Sequence, residues 1–249
     1  MMIIDIHAHV GQHPLMEFKQ TVDEVLSDMG RWGIDRTFIM PFPNMKNRKM
    51  NEFVAEAVGK YGDRLTGLAN INPAADDALE EFRYALGLGL KGLMLDPEFH
   101  GVFGRAGSKV EELAAQCLEN GLPVLFNTPN IETGEADSMG RDPYYQGLKQ
   151  LAFKFPQVPF LVNTYWPRVK ELMGEFPNIY IDTGGRNGIS GGLRLAQDIS
   201  PTRVCFGSES PQNHPALGIK AIRTMKCIPA YRELVLGKNA ERIFCGILP

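Results

Sequence analysis

An α/β fold, a single (β/α)8 TIM barrel, is predicted by three observations. The chain has 249 residues, close to the ~250 typical of such a barrel. Short apolar runs recur every roughly 25–35 residues, each followed by a polar or Gly/Pro turn and a stretch with helical periodicity. The runs are apolar almost throughout, as parallel strands covered on both faces are. Residues 1–249 are expected to form one domain, because α/β barrels exceed the usual domain length without dividing.

In chain order the strand-like runs are MIIDIHA at 2–8, RTFIM at 36–40, LTGLAN at 65–70 and KGLML at 91–95. PVLFN at 123–127, PFLVN at 159–163, NIYID at 178–182 and RVCFG at 203–207 complete the eight. Amphipathic segments lie between them. The first, VDEVLSDMGRWG at 22–33, sets Val22, Val25, Leu26 and Met29 at helical spacing, with Gly30 or Gly33 to end it. Similar segments follow at 51–62, 78–89, 109–121, 144–155 and 169–176. Alternation of this kind points to a parallel sheet, which right-handed crossovers close into a barrel. An open doubly wound sheet would carry GxGxxG after its first strand, and none occurs there. Pro41, Pro73, Pro97, Pro129 and Pro211 follow strands, marking the carboxyl ends where barrels of this kind carry their chemistry.

Composition narrows the function. Hydrophobic residues make up 44%, enough for a large core, and the formal charge of -3 lacks the basic excess of a nucleic-acid binder. No apolar run approaches the ~20 residues of a bilayer span. The opening Met-Met-Ile-Ile-Asp has no basic region of the kind that begins a secretion signal. Cys117, Cys205, Cys227 and Cys245 are widely spaced and form no CxxC pair, which fits a reducing compartment. The expectation is a cytoplasmic protein acting on a small molecule, with no nucleic-acid or membrane partner and with a homo-oligomer left open.

The strongest chemical signal is Asp5-Ile6-His7-Ala8-His9 at the end of the first run. Alternation along a strand puts His7 and His9 on one side and Ile4, Ile6 and Ala8 on the other. Two imidazoles so placed at a barrel mouth can grip one metal ion, although paired histidines also serve as structural hydrogen-bonding groups. Asp96, Asn127, Asn163, Asp182 and Glu209 each close an apolar run abruptly. Any one of them is explained by turn formation; five strands ending this way suggest an active-site ring. His100 and His214 read as solvated loop histidines. Cationic loop residues include Lys46, Arg48, Lys49, Arg105 and Arg168, of which Lys46 and Lys49 read as ordinary surface. Arg186, between glycines and near Asp182, is the best candidate for an anion, with Trp166 and Asn127 beside it as substrate-binding candidates. The stretch 128–142 is long for a strand-to-helix loop and has the length of a lid.

DIHAH, the LDP after the fourth run, GLPVLFNTP, GSESP and the closing LVLGKNAERIF occur in this order across essentially the whole chain. Together they resemble the amidohydrolase-related family of metal-dependent hydrolases and lyases, whose members include aminocarboxymuconate-semialdehyde decarboxylase. The resemblance implies one divalent metal, usually zinc. It would be held by two first-strand histidines, a fifth-strand His and an eighth-strand Asp, with a sixth-strand His acting on water or substrate. His7 and His9 match that pattern. Asn127 stands at the fifth-strand position, Asn163 at the sixth, and Glu209 replaces the eighth-strand Asp.

These departures have chemical consequences. An amide oxygen is a poorer zinc ligand than an imidazole, yet His, His and Glu form a known catalytic zinc set, and oxygen-rich sites also accept manganese or magnesium. Glu209 reaches ~1.5 Å further than Asp. Asn163 cannot exchange protons near neutral pH, so Glu209, Asp96, Glu98, His100 or Asp182 would have to do so. Three expectations follow. The first is a metal-dependent hydrolase or carbon–carbon lyase of a small carboxylated molecule, using metal-activated water, with His7, His9 and Glu209 as ligands and Glu209, Asp96 and Asn163 at the reacting centre. The second is a degenerate barrel that has lost metal and catalysis and binds a ligand or partner. The third is a metal-free enzyme working through carboxylates and Arg186.

Overall fold

The computed structural model describes residues 1–101, 109–127, 143–163, 169–184 and 200–248. The strands are β1 (Ile4–Gln12), β2 (Lys19–Gln20), β3 (Arg36–Pro41), β4 (Leu65–Gly67) and β5 (Ala69–Asn70). They continue with β6 (Leu93–Leu95), β7 (Val124–Phe126), β8 (Phe160–Val162), β9 (Ile179–Asp182) and β10 (Val204–Cys205). All eight expected runs contain strand. β2 is an addition that extends β1 into a hairpin, pairing Gly11 with Gln20 and Gln12 with Lys19 antiparallel.

The remaining pairings are parallel and follow chain order, β1-β3-β4 and then β5-β6-β7-β8-β9-β10. β4 and β5 are two halves of one strand broken at Leu68. Leu68 N donates to the Ile39 carbonyl at 2.9 Å, and Ala69 N to the Gly92 carbonyl at 2.9 Å, so the two sheets are continuous. The ring closes where Ile6 N donates to the Phe206 carbonyl at 3.0 Å and His9 N to the Ser210 carbonyl at 2.8 Å. A parallel bridge between Ala8 and Ser210 seals the same edge. The fold is a TIM barrel.

Helices α1 (Val22–Trp32), α2 (Arg48–Tyr61), α3 (Ala78–Gly87), α5 (Val110–Asn120), α6 (Pro143–Lys154) and α7 (Val169–Glu175) match the amphipathic segments. α4 (Pro97–His100), α8 (Pro215–Thr224), α9 (Pro229–Glu233) and α10 (Asn239–Ile243) join them. α1 shows why such segments fold locally. Thr21 and Glu24 form a reciprocal capping box at its start, a feature typically worth about 1 kcal/mol. Val25 and Met29 are its buried residues, and Gly33 ends it at φ 69°, a left-handed conformation that glycine adopts without a Cβ clash. Among the described residues, no helix is long and apolar enough to cross a membrane.

Two apolar layers result. Ala8, Ile39, Val124, Phe126, Phe160 and Val162 belong to the layer that also contains the buried helix residues. Ile4, Ile6, Phe38, Met94, Leu125 and Leu161 share a second cluster, the barrel interior. Strand period places the next inward residue two positions on. Beyond Leu68, Met94, Leu125, Leu161 and Tyr180 this residue is Asn70, Asp96, Asn127, Asn163 and Asp182. The strand-end acids and amides therefore form a polar layer on top of an apolar one.

The closing KNAERIF segment secures the opposite part of the chain to the barrel. Asn239 Nδ2 donates to the carbonyls of Pro201 and Val204 at 2.6 and 2.7 Å. Phe244 is fully buried against Phe38, with ring centroids 4.3 Å apart. That motif is structural.

Candidate functional site

The first strand departs from simple alternation, and the departure builds the site. Pairing runs Asp5 with Thr37 and then Ala8 with Ile39, so β1 carries one extra residue between these points. A bulge of this kind lets two neighbouring residues share a side. The expectation that Ile4, Ile6 and Ala8 share a face is therefore corrected. Ile4 and Ile6 lie in the interior cluster, whereas Ala8 lies in the outer one. His7 and His9 do meet: their Nε2 atoms are 3.0 Å apart, and both side chains are fully buried.

A carboxylate stands behind His7. Asp182, at the end of β9 and 0% exposed, faces His7 Nδ1 through Oδ2 at 3.2 Å. Its other oxygen accepts from Gly184 N at 2.6 Å. Gly184 is required here, since a Cβ would come within 2.7 Å of Asp182 Oδ1 and 3.2 Å of Glu209 Cβ. Burial pushes the His7 imidazolium pKa down, but Asp182, followed by Glu209 and Asp5, more than offsets this and raises it. Burial and then the neighbouring His7 push His9 well below the ordinary imidazole value, with His13 adding slightly and the Pro41 carbonyl opposing. The two rings are thus displaced in opposite directions, His7 upward and His9 downward.

This geometry accommodates a cation between the two Nε2 atoms. Ligand nitrogens each ~2.1 Å from a shared zinc ion lie ~3–3.5 Å apart at ordinary bond angles. A carboxylate on the far nitrogen of a ligating histidine fixes its tautomer so that the Nε2 lone pair faces the ion. On that observation the two histidines fit a divalent metal. Among the described residues, however, no group of three His, Cys, Asp or Glu side chains is arranged to hold one.

Glu209 is the third ligand expected from the sequence. It is 6% exposed, and its backbone N donates to the His7 carbonyl at 2.7 Å, which ties the end of the eighth barrel strand to the first. Its φ is 57°, the one positive value among described non-glycine residues. A left-handed conformation costs an L-residue about 1–2 kcal/mol, and such strain is commonly retained at functional positions. Glycine at 209 is thus expected to be more stable than alanine at 209 by about 1 kcal/mol, measured by urea unfolding in chelator. Identical unfolding curves for the two variants would contradict the strain.

The amides form a second feature. Asp96 caps α4 by accepting from Phe99 N at 2.9 Å, and its Oδ2 accepts from Asn127 Nδ2 at 2.9 Å. Asn163 Nδ2 then donates to Asn127 Oδ1 at 2.6 Å. The carboxylate thus orients Asn127, and Asn127 orients Asn163, across three adjacent strands. Asn70 ends β5 in the same layer and bears the same sequence signal, an amide abruptly closing an apolar run. His13, four positions after His9, is a further neighbour. Its Nδ1 accepts from Leu15 N and Met16 N at 3.1 and 3.0 Å, so in the neutral ring Nε2 carries the proton. It meets Phe42 edge-on, and Phe42 stacks on His9 with centroids 4.8 Å apart.

His100 is not a solvated loop histidine. It is 2% exposed, with Nε2 3.0 Å from the Asn44 carbonyl, because Pro97–His100 forms a helical turn that carries it inward. His214 is exposed and caps α8. Trp166, Arg168, Arg186, Arg105, the side chain of Glu98 and the stretch 128–142 lie outside the described residues.

A family model described as Amidohydrolase matches residues 4–245. No curated protein sequence matches the chain. Among solved structures, a TIM-barrel protein from Bordetella bronchiseptica is similar at 20% identity and a TM-score of 0.73, over 99% of each chain. The 5-carboxyvanillate decarboxylase of Sphingomonas paucimobilis is similar at 16% identity and a TM-score of 0.73, over 98% of each chain. A dihydroxybenzoic acid decarboxylase from Polaromonas sp. JS666, with bound manganese and the inhibitor 2-nitroresorcinol, gives 14% identity and a TM-score of 0.73, over 98% of this chain and 96% of that one.

Proposed function

The chain belongs to the amidohydrolase family, and on that premise we propose that it is a metal-dependent hydrolase or carbon–carbon lyase of a small carboxylated molecule. The observation that carries this reading is the convergence of His7 Nε2 and His9 Nε2 at 3.0 Å in front of Asp182. His7 and His9 would hold a divalent ion, zinc or manganese, and Glu209 would turn its carboxylate toward it as third ligand. When bound, the ion supplies Lewis acidity toward water or a substrate oxygen. The decarboxylases of similar fold, one of them with manganese, support a carboxylated substrate.

In this reading the chain's own groups divide the work. Glu209 accepts the proton released in the reaction. Asp96 orients the amide row, and Asn127 and Asn163 offer hydrogen bonds to the substrate, because an amide binds polar groups near neutral pH but does not relay protons. Trp166 and Arg186 are assigned to the substrate, Arg186 to its carboxylate. The test is metal content and calorimetric titration with Zn and Mn of protein purified without chelator. One ion per chain, lost in His9→Ala, is expected. Trace metal that added Zn or Mn does not raise refutes the reading.

The amide row favours a second reading, a barrel that has lost metal and catalysis and binds a ligand or partner. There His7 Nε2 and His9 Nε2, 3.0 Å apart, hydrogen-bond to each other, and Asn127 is committed to Asp96 and Asn163. The double variant Asn127→His with Asn163→His then raises metal affinity sharply from near nothing. Stoichiometric metal with turnover in the natural protein eliminates this reading.

A further inference from the structure

Past the ring, β1 runs on into its hairpin with β2, and the two sides of that hairpin differ. Gly11 pairs with Gln20 and Gln12 with Lys19, so the first pair shares one side and the second pair the other. Gln12 and Lys19 are exposed, whereas Gln20 is buried. With its amide nitrogen inward, Gln20 donates to the His9 carbonyl at 3.0 Å and to the Ser210 carbonyl at 3.2 Å. The Gln20 side therefore lies over the edge where the ring closes. The same register carries on to His13, whose N donates to the Phe18 carbonyl at 2.8 Å. Two positions after Gly11, His13 falls on the inward side. It is buried and edge-on to Phe42, which stacks on His9, and a charge on His13 is near enough to lower the His9 pKa.

The His13 ring is held in one state. Its Nδ1 accepts from Leu15 N at 3.1 Å and from Met16 N at 3.0 Å. A proton placed on Nδ1, by tautomerisation or by charging the ring, would break both bonds, and burial also disfavours the charged form. Nε2 therefore carries a hydrogen and can only donate. Among the described residues this Nε2 has no hydrogen-bond partner, and it is not enclosed in the way that His9 Nδ1 and His100 Nδ1 are. The fold thus spends two backbone N–H groups on fixing a donor that the protein itself leaves unused. Few, fixed polar groups of this kind are what orient a small molecule in a site.

From this arrangement we infer that His13 is a substrate-binding residue, its Nε2–H donating to a carboxylate oxygen of the substrate. A carboxylate offers acceptors only and this ring offers a donor only, so the two match, while an ammonium finds no acceptor here. The inference rests on the proposal that the barrel mouth takes a small carboxylated molecule. It does not require the metal, since His13 is not among the expected ligands.

The test compares His13→Asn with His13→Ala in the full chain. Asparagine keeps a side-chain oxygen for the N–H groups of Leu15 and Met16 and loses only the Nε2 donor, whereas alanine loses both. Calorimetry with benzoate is expected to show one site per chain, weakened about tenfold in both variants. Zinc affinity, titrated in parallel, should match the parent in both. In imidazole 15N spectra, the His13 signals, assigned by their absence from His13→Asn, should show hydrogen on Nε2 alone and should shift with benzoate. A merely structural histidine would let His13→Asn recover the benzoate affinity that His13→Ala loses, and that recovery overturns the inference. So does a parent without saturable benzoate binding, a proton on Nδ1, or a His13→Asn variant whose zinc affinity falls together with its benzoate affinity. A parent that takes no zinc but loses benzoate affinity on His13→Asn upholds the inference and refutes the metal reading alone.

Discussion

Asp182→Asn is expected to lower affinity for a divalent ion by about 10–100-fold while the chain remains folded. Asp182 Oδ1 accepts from Gly184 N, and Oδ2 faces His7 Nδ1. An asparagine keeps one of these oxygens. If it serves Gly184, the amide NH2 is left facing His7 Nδ1, and this nitrogen must become the acceptor. The ring then carries its proton on Nε2, which points at His9, and the pair of lone pairs that would hold the ion is gone. A tautomer is reversed with hardly any change of shape, the same logic by which an Asp-to-Asn change disables a catalytic histidine elsewhere. Competition against a chelator of known affinity measures the effect. Unchanged affinity would remove Asp182 from the proposed centre.

Asp5→Asn is expected to stabilise the metal-free protein at neutral pH by up to about 3 kcal/mol, and to have little effect near pH 4. Burial raises the Asp5 pKa from 3.8 to about 6, even though Ser208 and the His7 backbone hold its carboxylate by hydrogen bonds. A folded-state pKa above the unfolded one means that the native chain binds the proton more tightly. The corresponding stability is fully present below about pH 3.8 and is lost as pH rises to about 6. About two units of displacement correspond to about 3 kcal/mol. His7 works in the same direction, because its raised pKa contributes stability below the ordinary imidazole value that is lost as pH rises through the folded one. Asparagine has the shape of aspartate without its ionisation, and its oxygen can still accept from Ser208 N and His7 N. The measurement is the difference in urea unfolding energy between variant and parent, in chelator, across this range. A difference that does not grow from pH 4 to pH 6, or a variant less stable than its parent at neutral pH, would contradict the assignment.

The strands were legible because a buried parallel strand needs a continuous apolar run, and each of the eight runs supplies one. Helices such as α1 were legible for a similar local reason, since Thr21, Glu24 and Gly33 specify its ends without help from elsewhere. The short turn Pro97–His100 was not. Its apolar content is too small to show a period, and its position depends on Asp96 being fixed at the end of β6. His100 accordingly read as solvated when it is buried. The bulge in β1 was hidden for a different reason: it is a property of the pairing between Asp5–Ala8 and Thr37–Ile39, and neither segment reveals it alone.

The sequence by itself determined the barrel, the family, and the two histidines that open the candidate site. These follow from short-range periodicity and from motifs in which every residue is local. Only the tertiary structure decided what those histidines face. Asp182 reaches His7 across 175 positions of chain, and the row from Asp96 through Asn127 to Asn163 exists because three strands remote in sequence end at one level. Hydrogen bonds and charges act over a few ångströms, so their partners are set by how the strands close into a ring.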